Sequence, residues 1–373
     1  MSEWKEYKLR EVCSDINYGY TASAHNNPIG PKFLRITDIV PERINWETVP
    51  YCEINDGNEK KYKLEKGDIV IARTGATTGY NAIIKEHTNA VFASYLIRYR
   101  VKNKIANPFY IAYLLKSYEW KGFVQNIMSG SAQPGANAKQ FADFDFELPP
   151  YQLQDEIVSI LSSLEDKIDL LQRQNKTLDQ FNETLFRQWF VEEADESWKI
   201  GKLKDVIELV YGKALKEEIR TGTGFPVVGS SGIVGHHLEY LVEGPGIVIG
   251  RKGTLGKVIY MFENFFPIDT TYFVKSQINS SGLFYEYFLL KTLNFDEMNS
   301  DSAVPGLNRE IALSTEVKIA PKEKLEEFNQ QCSYLFAKIE SNKNQIKKLA
   351  QIRDTLLPKL MNGEVRLKGN IKY

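Results

Sequence analysis

The sequence predicts an α+β protein: two globular parts of short strands and helices, separated by two long antiparallel coiled-coil helices and related by a pseudo-twofold internal repeat. Three observations predict it. First, SGSAQPGAN (residues 129–137) recurs as SDSAVPGLN (residues 300–308), and the same offset of 171 carries Pro150 onto Pro321, Leu164 onto Leu335, Ile168 onto Ile339, Leu178 onto Leu349 and Leu185 onto Leu356. One ungapped register over roughly 60 residues marks a duplicated architecture. Second, Ile157, Leu161, Leu164, Ile168, Leu171, Asn175, Leu178, Asn182 and Leu185 alternate steps of four and three, and Phe328, Cys332, Leu335, Ile339, Asn342, Ile346, Leu349, Arg353 and Leu356 repeat the pattern. That spacing is the a/d seam of a coiled coil. Third, the stretches before the two seams break into short β-like runs bounded by Gly, Pro and Asn.

Taken in order, the first globular part spans residues 1–150, with strand-like runs at 33–39, 68–72 and 90–101 and one helix-like segment at 109–117. The first long helix and its linker occupy 151–195. Pro149-Pro150 reads as a stiff exit into that helix, whose first turn carries Asp155 and Glu156 near the positive dipole end. The second globular part, 196–320, has runs at 226–228, 247–250, 257–262 and 270–274 and a helix at 284–293; the second long helix and tail fill 321–373. Upstream of the tails the repeat continues with gaps: Trp4-Lys5, Leu9 and Val12 answer Trp198-Lys199, Leu203 and Val206, and Tyr18-Gly19 answers Tyr211-Gly212.

Helix direction follows from length. A helix from Tyr151 to Phe190 is about 60 Å long, and only residues 191–197 link it to the second globular part. Parallel helices would require that part to span the whole length, so antiparallel pairing is expected. In such a pair Asn175 and Asn342 fall opposite one another near the centre, where buried Asn fixes register. A position near solvent is the plainer alternative for each.

Composition excludes several classes. With 43% hydrophobic and 25% charged residues, the chain reads as an ordinary soluble protein. Its N-terminal residues show no apolar signal core and no run approaches the roughly 18 residues of a membrane span, so a cytoplasmic location is expected. Cys13, Cys52 and Cys332 lack metal-site spacing, as do the four histidines. The net charge of -1 excludes a globally basic nucleic-acid coat while leaving room for local basic faces.

The run ELPPYQLQDEIVSIL (residues 147–161) resembles the Pro-Pro-aromatic loop of DNA amino-methyltransferases, but Leu148 stands where an Asp or Asn must accept a hydrogen bond from the amino group. No strand followed by a Gly-rich cofactor turn is present, and no Walker A, Gly-x-Ser-x-Gly or HExxH motif. The pattern suits binding better than catalysis.

Three features suit DNA. In residues 71–79 (IARTGATTG) and 249–256 (IGRKGTLG) basic residues and hydroxyls sit in Gly-bearing turns able to approach a phosphate. In LIRYRVK (residues 96–102) strand alternation places Arg98, Arg100 and Lys102 on one face. Asn137, Lys139, Asn308 and Arg309 follow the repeated Pro-Gly turn and offer donors to base edges. Arg73, Arg98, Arg100, Lys252 and Lys257 are expected at phosphates; Arg251, Thr74, Lys139, Asn308 and Arg309 are expected nearer bases. Plain alternatives are simple hairpins for the Gly turns, a solvated outer strand for Arg98 and Arg100, and turn caps for Asn137 and Asn308.

These residues bear a resemblance to a known family. The stretches DIVIARTGATTG (68–79), IVIGRKGTLGKV (247–258), ELPPYQLQDEIVSIL and SNKNQIKKLAQIRDTLLPKLMNGEV (341–365), together with the duplication, resemble the specificity subunit of type I restriction-modification enzymes over essentially the entire chain. One departure is that Asp155-Glu156 and Glu326-Glu327 stand where a Glu-Gln often follows the proline. The resemblance implies a non-catalytic reader of a split, asymmetric site in double-stranded DNA. It implies two copies of a separate adenine-N6 methyltransferase subunit that binds S-adenosylmethionine, a restriction and translocase subunit that joins them, and no cofactor on this chain. A stand-alone DNA-binding regulator and a coiled-coil scaffold without sequence preference are the alternatives.

Overall fold

The structure, a computed structural model, describes residues 4–40, 43–129, 135–278, 281–295 and 306–365. The chain forms two compact units, Met1–Ile168 with Lys348–Tyr373, and Asp169–Lys347. Each unit therefore contains one globular part and segments of both long helices, whereas the sequence reading set the helices apart as separate spacers.

The first unit is built on a four-stranded antiparallel sheet in the order Cys13–Tyr18, Leu96–Val101, Asp68–Ala72, Asn81–Ile83. Both faces are covered. Ile69, Ile71, Ile97 and Tyr99 pack with the helix Pro108–Leu114, with Trp120 of the helix Tyr118–Ser129, and with Ile157, Leu161, Leu360 and Met361 of the long helices. Val70, Ala72 and Leu96 pack on the other side with Leu34, Ile39 and Phe92, beside a parallel pair formed by Lys32–Leu34 and Ala90–Phe92. A further pair, Lys5–Lys8 with Asp145–Leu148, ties the entrance of the globular part to its exit. Leu148 closes that pair opposite Lys5 and is buried. Gln154, buried behind it, donates to the Pro149 carbonyl at 2.8 Å and accepts from the Asn107 N–H at 2.8 Å. The Leu-Pro-Pro-Tyr run is thus a pinned structural exit, which accounts for an apolar residue before the prolines.

The second unit repeats this plan. Its sheet runs Ile207–Tyr211, Thr271–Ser276, Gly246–Gly250, Val258–Met261, again antiparallel throughout. Lys199–Lys202 pairs with Glu316–Ile319 as entrance with exit, and Phe225–Gly229 runs parallel to Phe266–Pro267. The second unit extends that last pair with the hairpin strand Gly232–His237.

Two runs differ from expectation. Residues 33–39 divide into the strand Lys32–Leu34 and a helical turn Ile36–Ile39, because the Asp38 carboxylate accepts from the Arg35 N–H at 2.8 Å and caps the turn. The run at 90–101 divides into Ala90–Phe92 and Leu96–Val101, which belong to different sheets.

The long helices are Tyr151–Arg187, continued by a π-helical turn at Gln188–Glu192, and Lys322–Met361. Within the second unit Phe186 and Phe190 pack edge-on against Phe328 at 5.8 and 5.1 Å between centroids. In the same unit Asn342 Nδ2 donates to Asn175 Oδ1 at 2.8 Å and to Gln174 Oε1 at 2.9 Å. Numbers rise along one helix as they fall along the other, so the helices run antiparallel there. Among the described residues no helix is long and apolar enough to cross a membrane.

Candidate nucleic-acid interface

In each unit one strand of the sheet ends in an arginine-bearing turn, and the same hydrogen bonds fix it in both. In the first, the Ala72 N–H donates to Tyr80 O and the Gly79 N–H to Ala72 O, both at 2.8 Å. In the second, the Gly250 N–H donates to Lys257 O at 3.0 Å and the Gly256 N–H to Gly250 O at 2.9 Å. The next residue is held from both sides: the Arg73 N–H donates to Tyr95 O and its carbonyl accepts from the Ala136 N–H, while the Arg251 N–H donates to Thr270 O and its carbonyl accepts from the Leu307 N–H. Thr74 and Lys252 then bridge to Gly135 and Gly306. The two sequence features singled out separately, the Gly-bearing turn and the Pro-Gly-x-Asn stretch, therefore meet in space in both units. Residues 130–134 and 300–305 of the repeated turn lie outside the described residues.

Over each arginine lies a tyrosine. The Arg73 guanidinium sits 5.1 Å from the Tyr18 ring and the Arg251 guanidinium 5.0 Å from the Tyr211 ring. Tyr18 and Tyr211 are 41% and 50% exposed, which puts both pairs at the surface. Arg251 also donates from Nη1 to Asp269 O at 2.9 Å and faces the Tyr272 ring at 5.7 Å. Burial and the neighbouring Tyr211 push the Tyr272 phenol up to about 12, with Arg251 opposing, so it stays protonated and donates to Leu307 O at 3.1 Å. The sequence carried Tyr18-Gly19 and Tyr211-Gly212 as a repeat, but nothing local joined them to arginines 55 and 40 residues downstream.

The remaining expected contacts divide. Lys139 and Lys252 are exposed, and Thr74 is half-buried at the turn. Lys257 is exposed and donates to Ser231 O at 2.6 Å. Arg98 is a correction: it is 3% exposed, bound to Asp15 at 2.5 Å and to Lys63 O at 2.8 Å, and lies against Phe92. Its strand is internal to the sheet and packed on both faces, so Arg98 lies in the core. Arg100 is corrected likewise, because Nε and Nη2 grip the buried Asp68 carboxylate at 2.7 and 2.8 Å and its charge is already neutralised. Asn308 caps the helix Arg309–Ser314, its oxygen accepting from the Glu310 and Ile311 N–H groups, as Asn137 caps Ala138–Ala142. Both asparagines thus serve as helix caps. Arg309 donates from Nε to Leu209 O at 2.7 Å and lies 3.6 Å from Glu310, which ties its helix to the sheet.

A duplicated unit with an arginine-bearing surface turn defines a two-part binding protein. A family model described as the type I restriction modification DNA specificity domain matches residues 1–180 and again 195–352, and the chain belongs to that family. It is 24% identical over 345 residues to the type I restriction enzyme MjaIX specificity subunit of Methanocaldococcus jannaschii, covering 81% of this chain and 78% of that one. It is 26% identical over 217 residues to the HindI specificity subunit of Haemophilus influenzae, covering 56% of this chain and 45% of that one. The fold is similar to the crystal structure of a type I restriction-modification S subunit from M. genitalium, with a TM-score of 0.64 at 19% identity over 96% of each chain.

Proposed function

We propose that this chain is the non-catalytic DNA specificity subunit of a type I restriction-modification complex. Its globular parts, residues 1–150 and 196–320, each read one half of an asymmetric split site. Two adenine-N6 methyltransferase subunits, which carry S-adenosylmethionine, are positioned by it on the duplex, and restriction and translocase subunits join them. The observation that carries this reading is the arginine-bearing turn repeated with one hydrogen-bond framework but different residues: RTGATTG in the first unit and RKGTLG in the second. One scaffold with two sets of turn residues is what reading two different half-sites requires.

The test is co-expression with a type I methyltransferase subunit from the same genome, in a host free of adenine methylation, followed by mapping of N6-methyladenine. A split motif methylated only when both chains are present supports the reading. Co-purification without new methylation points to a scaffold, and absence of co-purification points to an independent DNA-binding protein.

A further inference from the structure

The two units share more than a fold at their turns. Tyr18 and Tyr211 each precede a glycine at which a Cβ would lie 2.2 Å from a carbonyl oxygen, that of Ala93 or Ile268. The Gly19 N–H donates to Leu96 O and the Gly212 N–H to Thr271 O, both at 3.1 Å. Each ring thus precedes a glycine that no residue with a Cβ could replace without a collision, and that glycine is tied to the neighbouring strand by its own N–H. Each arginine is held at its own N–H and carbonyl, with its guanidinium beside that ring.

Charge separates these two arginines from the other three singled out for DNA. Arg98, Arg100 and Arg309 each have a carboxylate within 4.0 Å. Among the described residues neither Arg73 nor Arg251 forms an ion pair; each is set against an aromatic ring, which orients a guanidinium without neutralising it. Two un-neutralised, pre-oriented cations at matched surface positions are suited to an anion.

Which anion follows from the comparison. Residues that differ between the units, Thr74 against Lys252 and the turn residues after them, are free to read what differs between two half-sites. A matched surface cation left without a carboxylate is suited to what the half-sites share, and every duplex shares its phosphate backbone. We infer that Tyr18 and Tyr211 are positioning residues that orient Arg73 and Arg251 onto DNA phosphates, one clamp per unit. Arg251 thereby moves from the base-reading group to the phosphate group, beside Arg73. The inference rests on the DNA-reading function proposed above and assigns the sequence-independent part of it.

The experiment uses the full chain co-purified with its methyltransferase subunits, titrated with a labelled random-sequence duplex at stepped potassium chloride. Arg73→Ala and Arg251→Ala each reduce the salt slope by about one and weaken binding by about tenfold, and the methylated motif keeps its letters. Tyr211→Phe, which keeps the ring, binds as the parent does, whereas Tyr211→Leu weakens binding several-fold with the slope unchanged. A slope unaltered by Arg73→Ala and Arg251→Ala in complexes of parental melting temperature overturns the clamp, as does relaxation of one motif position by Arg251→Ala. A parent complex that binds no duplex at any salt overturns the DNA-reading function itself.

Discussion

Glu165 and Phe336 stand at the same position of the repeat, 171 residues apart, on the long helix facing its own unit's sheet and helices. Glu165 lies 2.8 Å from Lys85 and 3.6 Å from Lys116, beside the Tyr113 hydroxyl. A cleft of about 680 Å³ opens there, lined by Tyr113, Lys116, Glu165 and Arg353 and by the back of the turn at Thr78–Gly79–Tyr80. Phe336 is instead 3% exposed, with Phe284, Tyr260 and Phe288 at 4.5, 4.8 and 5.9 Å between centroids. The facing helices also correspond, Phe109-Tyr110 and Leu114-Leu115-Lys116 matching Phe284-Tyr285 and Leu289-Leu290-Lys291, which sets Tyr113 against Phe288. The hydroxyl and its carboxylate partner are thus both replaced by rings at the matching positions of the second unit. A duplicated fold keeps its backbone hydrogen bonds, which no other group can supply, while a side-chain joint can exchange polar for apolar when both partners change together.

The largest expected effect lies on the aromatic side. Phe336→Ala removes a ring from the centre of the cluster and is expected to cost about 3–5 kcal/mol. Hydrogen-exchange protection should fall along Phe284–Thr292 while Pro108–Leu114 keeps its own. A loss under about 1 kcal/mol would mean that the cluster repacks and that the two joints differ less than their residues do.

Glu165→Ala is next, at about 2 kcal/mol for charge-assisted contacts in a partly open site. Burial alone would raise the Glu165 carboxyl, but Lys116, Lys85 and the Tyr113 hydroxyl hold it below the usual carboxylate value. A folded value below the unfolded one means that the contribution is complete above the unfolded value of about 4.3, and is lost as pH falls through the folded value. Denaturant titrations in that acid range should show the parent losing stability more steeply than Glu165→Gln, with no such difference between the parent and Phe336→Leu.

Much of this was legible in the chain, for reasons of range. The duplication, the heptad seams and the antiparallel direction rest on spacing and length, which are read along the chain without knowing what packs on what. Alternation misplaces Arg98 and Arg100 because it tells which side of a strand a residue faces and not what meets it there; here Phe92, Asp15 and the Lys63 carbonyl enclose Arg98, and the buried Asp68 takes Arg100. The helix Tyr118–Ser129 escaped notice because Gly122 interrupts a short apolar stripe, and its place depends on Trp120 donating to Gly79 O at 2.9 Å across the fold. The tyrosine–arginine pairs needed strands distant in sequence to be brought side by side.

The smallest expected effects test whether the second unit is as apolar inside as its aromatic joint suggests. Its helical seam contains two fully buried asparagines with opposite prospects. Asn342 donates to Asn175 and Gln174, so Asn342→Leu strands their oxygens and should cost about 1 kcal/mol or more. Asn182 is equally buried, yet neither its side-chain nitrogen nor its oxygen has a partner among the described residues. An amide desolvated without a hydrogen bond is destabilising, so Asn182→Leu should raise stability by about 1 kcal/mol. Opposite signs in chemical denaturation would separate a register device from an unsatisfied amide. The same sign for both, a loss, would mean that Asn182 holds ordered water within the seam, and that the second unit keeps a polar site of its own beneath its aromatic joint.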